Sequence, residues 1–164
     1  MVCMYHVLID LTHKYRHHHH HHTHACTAQL ARIFKNIDMM VEKHPDLKGG
    51  APFIIQGMMH LNAPAPLRSV RKAKECFEAA YRVDAASPRN NYFCGVAAYL
   101  ERDYARAHAH FAAALAELAL EQAPESPVGG GGGEGDVMGR DPADEYLEAQ
   151  CRLGLELAGA RMGG

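Results

Sequence analysis

From Ala28 onward the apolar residues recur at helical spacing. Leu30, Ile33, Phe34, Ile37, Met40 and Val41 fall at i, i+3, i+4, i+7, i+10 and i+11, while Arg32, Lys35, Asn36 and Asp38 face away, which is the stripe of an amphipathic helix. Pro45 biases His44 away from helical geometry, so this helix is expected to stop there. Lys48-Gly49-Gly50 is a turn, and Ala51-Pro52 opens the next helix with proline where a missing N–H costs nothing. Phe53-Ile54-Ile55 reads either as helix or as a buried strand, and helix is adopted because no second strand is available to pair with it. A further helix covers Val70 to Tyr81 and ends near Asp84. Ser87-Pro88 then supplies an N-cap and a first-turn proline. Arg102-Asp103 marks a turn whose Asp103 caps a helix running through Phe111, Leu115 and Leu118 towards Gln122. Residues 124–140, with five glycines from Gly129 to Gly133, lack apolar periodicity and are expected to form a flexible linker. Asp141-Pro142 restarts a helix, with Asp144 and Glu145 favourable to its dipole. Its face of Leu147, Cys151, Gly154, Leu155 and Ala158 should dock on the helices before it. The chain is expected to be all-α: a His-rich and disordered tail over 1–28, a helical domain over 29–123, the linker, and a capping helix over 141–160.

Two of these helices carry one pattern written twice. Ala73, Phe77 and Ala80 return as Ala107, Phe111 and Ala114, shifted by 34 residues at all three positions. Small residues flanking an aromatic ring on one face describe a close helix-helix contact. Gly95 stands 12 residues before Ala107, whereas Gly57 stands 16 before Ala73; the four extra residues are assigned to Asn62-Ala63-Pro64-Ala65-Pro66, which cannot stay inside a helix. This period and its small-aromatic-small triplet resemble a tetratricopeptide repeat, with 52–82 as a divergent copy, 88–121 as a better one, and Gly154 in a lone first helix closing the series. The resemblance implies antiparallel helix hairpins stacked as a short right-handed array. It also implies a concave groove carrying Ile54, Met58 and Leu61 from one repeat and Arg89, Tyr92, Val96 and Tyr99 from the next. Members that clamp a carboxyl terminus do so with Lys and Asn, but Ile54, Met58 and Phe93 stand at such positions here, so no clamp of that kind is expected. An apolar groove would accept an amphipathic helix or an extended apolar peptide, or be filled by the chain's own Leu30–Val41 helix.

Composition narrows this picture. A chain of 164 residues suits one domain, and a net charge of -2 recommends neither nucleic acid nor an anionic membrane as partner. Charge is nevertheless uneven, with eight acids against three Arg from Glu125 to Arg161 and six Lys/Arg against three acids from Arg68 to Arg89. Those stretches read either as mutually attractive or as ordinary solvated helix faces. No apolar run reaches bilayer length, and a soluble, cytoplasmic protein is the default expectation. Cys3, Cys26, Cys76, Cys94 and Cys151 are scattered and odd in number, which writes neither a disulfide framework nor a cysteine zinc site.

Candidate chemistry is sparse. His17, His18, His19, His20, His21 and His22 form a tract able to chelate zinc, copper or nickel; it also reads as a purification tag or as the translation of a CAC-rich simple repeat. His108 and His110 lie on different sides of a helix and cannot share an ion. The glycine run has no preceding strand and no Gly-Lys-Ser/Thr after it, so it is not a phosphate loop. No catalytic motif occurs, and no cofactor is expected. The sequence points first to a non-catalytic module that binds another protein. A second reading is a carrier in which Pro52–Pro66 and Met58/Met59 enclose an apolar ligand, as a weaker likeness to extracytoplasmic repeat subunits of solute transporters suggests. A third is metal handling by the His tract.

Overall fold

The computed structural model describes residues 23–65, 67–121 and 141–163, with side chains from residue 29 onward. They form helices α1 (Thr23–Lys43), α2 (Ala51–Asn62), α3 (Val70–Val83), α4 (Pro88–Leu100), α5 (Tyr104–Glu121) and α6 (Pro142–Met162). No strand occurs among the described residues, and Phe53-Ile54-Ile55 lies in a helix, as the lack of a pairing strand had suggested. The first helix begins at Thr23, inside the stretch assigned from sequence to the tail; the rest of that stretch and the 124–140 linker lie outside the described residues. No helix among those described is long and apolar enough to cross a membrane.

Local chemistry sets the helix ends. Ser69 Oγ accepts from Lys72 N at 3.2 Å, Ser87 Oγ from Asn90 N at 3.4 Å, Asp103 Oδ1 from Arg106 N at 3.1 Å and Asp141 Oδ1 from Ala143 N at 2.8 Å. Each satisfies an N–H that the helix itself leaves without an acceptor. The α1–α2 turn passes through positive φ at Lys48, Gly49 and Gly50. Gly50 has a second reason to be glycine: a Cβ there would lie 3.0 Å from Ala80 Cα. The α4–α5 turn places Arg102 at φ 66, with Asp103 N bonding back to Ala98 O at 3.0 Å. A left-handed residue after a helix usually is glycine, and here an arginine holds the position.

The helices divide into two compact units, one ending at Ala85 and the other starting at Ala86. A single domain was the expectation from length; the division falls where Asp84 is extended at the end of α3 and Ser87 starts the next cap.

In the first unit α2 and α3 form an antiparallel hairpin. Ser69 N donates to His60 O at 2.8 Å at one end, and Gly50 approaches Ala80 and Val83 at the other. Ala73, Phe77 and Ala80 are fully buried, and the Phe77 ring lies flush on Gly57, where an added Cβ would come within 2.3 Å of Cε1. Helix α1 packs on α2 with less of its stripe withdrawn from solvent than the period implied: Ile37 is buried and Ile33 exposed, while Leu30, Phe34, Met40 and Val41 are half-buried.

In the second unit α4, α5 and α6 pack mutually. Phe111 sits between two glycines, with Cβ positions 2.7 Å from Cε1 at Gly95 and 2.7 Å from Cε2 at Gly154. Ala98, Ala107 and Ala158 complete this core, and Tyr92, Val96, Tyr99 and Leu155 pack against it. The face of α6 expected to dock does so: Cys151, Gly154 and Ala158 are buried, and Leu147 and Leu155 half-buried.

Candidate binding groove

The seven positions expected to line one groove fall in different units and different environments. In the first unit Ile54 is only 3% exposed, so it is a packing residue and not a contact surface; Met58 and Leu61 are half-buried. Helix α1 is tied elsewhere on α2. Gln56 Nε2 donates to Asp38 Oδ1 at 2.7 Å, and the Phe34 and His60 rings stand 5.4 Å apart. Gln56 lies about 200° round the helix from Ile54 at 3.6 residues per turn, so these contacts of α1 reach the opposite side of α2 from Ile54, Met58 and Leu61.

In the second unit three of the four expected residues are brought together. Tyr92, Val96 and Tyr99 lie along α4 and form one wall of a groove of about 140 Å³, with Gln150, Leu153 and Leu157 of α6 opposite and Phe111 at its floor. Aromatic packing holds the α4 wall: Tyr92 lies 5.9 Å from Phe111, and Tyr99 meets Tyr104 edge-on at 5.4 Å. Leu100, Leu153 and Leu157 remain 43%, 47% and 46% exposed on its rim, an apolar strip of the kind that marks a contact surface. Arg89 does not line the groove; its Nε turns to Asn90 Oδ1 at 3.5 Å.

The leucines of α6 escaped sequence reasoning because only one face of that helix was assigned. Tyr146, Leu153 and Leu157, spaced seven and four apart, were the available signal for a second face.

Titratable groups buried around these helices are tuned towards their neutral forms. Burial pushes the Cys151 thiol up to about 12, with Glu148 adding to it. Burial likewise raises Tyr92 to about 12, helped by Tyr146 and Cys151. The Cys76 thiol rises to about 11, through burial first and then Glu75 and Asp38; its Sγ donates to Gln56 Oε1 at 3.1 Å. Suppressed thiolates of this kind behave as packing groups and not as nucleophiles.

Among the described residues the histidines form no ligand set. His110 Nδ1 contacts Asn91 Oδ1 at 3.3 Å, a pairing that needs the Nδ1–H tautomer and makes His110 part of the α4–α5 contact. No cluster of three or more His, Cys, Asp or Glu side chains suited to a metal occurs among the described residues. The tract from His17 to His22 lies outside them.

A second concavity, not anticipated, lies in the first unit. It is an open recess of about 660 Å³ lined by Phe34 and Asp38 of α1, Gln56 and His60 of α2, Leu67, Arg68 and Ser69 of the following loop, and Lys72 of α3. Neither Met58 nor Met59 lines it, and Met59 is buried at 4% exposure. The recess opens on another side of α2 from the methionines around which an apolar chamber was expected. Burial lowers the pKa of His60, and Lys72 lowers it further, against the opposing pull of Asp38 and Glu75.

No family model matches the chain, and neither a curated protein nor a solved structure matches it.

Proposed function

We propose that the chain is a non-catalytic helical-repeat module of the tetratricopeptide kind, which takes the apolar face of a partner helix or peptide along α4 and α6 of its second unit. The observation carrying this reading is the strip of half-exposed Tyr92, Val96 and Tyr99 opposite Leu153 and Leu157. At about 140 Å³ the groove is smaller than the roughly 300–1,000 Å³ typical of small-molecule pockets. Its shape suits side chains presented from a helix at i, i+3, i+4 and i+7. Burial holds the Cys151 thiol of that unit in its neutral form, so it acts there as a packing group.

The test uses the full chain and fluorescently labelled amphipathic peptides with leucines at those four positions, read by anisotropy. A Tyr99→Asp/Leu157→Asp variant that keeps its helical circular dichroism and melting transition is expected to lose at least tenfold in affinity. Equal affinity of the variant, or absence of binding by the parent chain to every such peptide, removes the reading.

A further inference from the structure

The recess of the first unit is independent of that groove, and its chemistry is different. Its polar groups divide into those already satisfied and those that are not. Asp38 accepts from Gln56 Nε2, and Gln56 Oε1 in turn accepts from Cys76 Sγ, so the carboxylate, amide and thiol form a closed chain along one wall. Glu75, one turn after Lys72 on α3, is engaged by Arg71 Nη1 at 3.2 Å. On the other wall Arg68 and Lys72 have no side-chain hydrogen bond or ion pair among the described residues. Ser69 Oγ is used as an acceptor by Lys72 N, leaving its hydroxyl proton to be donated. His60 Nδ1, also in the recess, is buried without a hydrogen-bond partner among the described residues, a situation that normally costs a folded protein free energy unless something binds there.

The unsatisfied groups of the recess are therefore two cations, one hydroxyl donor and one imidazole nitrogen able to donate. Together they call for an acceptor-rich anion. The same recess has an apolar end, where the Phe34 ring lies 5.4 Å from the His60 ring at 45° and Leu67 is 50% exposed. Its volume of about 660 Å³ falls within the range of small-molecule sites. We infer that this recess binds a small aryl or similarly apolar anion, its phosphate or carboxylate held by Arg68, Lys72, Ser69 and His60 and its ring laid on Phe34 and Leu67.

The experiment is an NMR titration of the full ¹⁵N-labelled chain with phenyl phosphate and with benzoate, beside inorganic phosphate and phenol as separate arms. Expected is saturable movement of the His60 ring signals and of the Ser69 to Lys72 amides with at least one aryl anion, at an affinity at least fivefold above that of inorganic phosphate or phenol. An Arg68→Ala/Lys72→Ala variant should weaken that binding at least tenfold. Phe34→Leu should weaken the aryl anions while leaving inorganic phosphate unchanged, and Leu120→Asp, at an exposed position of α5 outside both concavities, should change nothing. No saturable movement at these positions overturns the inference, as does equal affinity in the Arg68→Ala/Lys72→Ala variant or inorganic phosphate binding as tightly as both aryl anions.

Discussion

Phe77 and Phe111 occupy the same place in the same small-aromatic-small triplet, yet their surroundings differ in a way that distinguishes the two units. The Phe77 ring is pressed against one glycine, Gly57, whose hypothetical Cβ would fall 2.3 Å from it. The Phe111 ring is gripped from both edges, by Gly95 and Gly154, with each contact slightly looser at 2.7 Å. A ring held by a hairpin depends on one close backbone approach. A ring shared among three helices spreads the contact and makes the third helix, α6, part of the core. The consequence appears at the surface, because the same α6 that closes on Phe111 presents Leu153 and Leu157 beside Tyr92 and Tyr99.

The largest effect expected from breaking this comparison is removal of either ring. Phe111→Ala and Phe77→Ala should each cost about 3–5 kcal/mol, the usual range for a buried phenylalanine, measured by urea denaturation. Hydrogen exchange should localise the damage, with Phe111→Ala exposing the amides of α4, α5 and α6, and Phe77→Ala those of α2 and α3. Protection of α6 unchanged in Phe111→Ala would show that the ring does not hold that helix.

Adding a methyl group where the ring touches backbone should come next. Gly57→Ala is expected to destabilise by about 1–3 kcal/mol through overpacking, and by more than Gly95→Ala or Gly154→Ala because its contact is the tightest. A Gly57→Ala/Phe77→Leu pair should recover part of the loss, giving a coupling energy in a double-mutant cycle. Strictly additive losses would show that Gly57 and Phe77 do not constrain one another.

The units should also answer differently to pH. In the first, the lowered pKa of His60 means that the unfolded chain takes up a proton more readily than the folded one. Its contribution to stability is complete above the ordinary imidazole value of 6.5 and is lost as pH falls below it. A His60→Gln variant should flatten that acid limb. In the second, Cys151 and Tyr92 stay protonated in the folded state to about 12, against ordinary values of 9.0 and 10.0. Stability there is complete below 9.0 and declines as pH rises towards about 12, and Cys151→Ala should soften the decline. Melting temperatures across the pH range check both limbs, and an acid limb that persists in His60→Gln would assign it to another group.

The smallest expected effect is at the turn between α4 and α5. Arg102 holds a left-handed φ of 66 that costs a side-chain-bearing residue about 1 kcal/mol relative to glycine. Arg102→Gly should therefore raise the stability of the second unit by up to about 1 kcal/mol in the same denaturation assay. A decrease would mean that the guanidinium supplies more than the backbone loses.

Several features of this molecule were legible along the chain because they depend on local chemistry. Helix starts at Pro52, Ser87-Pro88, Asp103 and Asp141-Pro142 could be read because capping and proline geometry act within a few residues. The Ala-Phe-Ala faces could be read because helical periodicity states which side will be covered. The apolar character of Tyr92, Val96 and Tyr99 was legible for the same reason. Their opposite wall was not, since Leu153 and Leu157 reach them only after α6 has folded back on α5.

The sequence by itself determined that the described chain would be helical, where most helices would begin, and that Phe77 and Phe111 would be interior. Only tertiary structure decided that Ile54 would be buried, that Gln56 and His60 would receive α1, and that Arg68, Lys72 and His60 would line one recess. The physical reason is range. Caps and periodicity are settled by neighbours in the chain, whereas burial, unpaired donors and shared cavities are settled by residues on other elements, whose approach depends on the packing of whole helices.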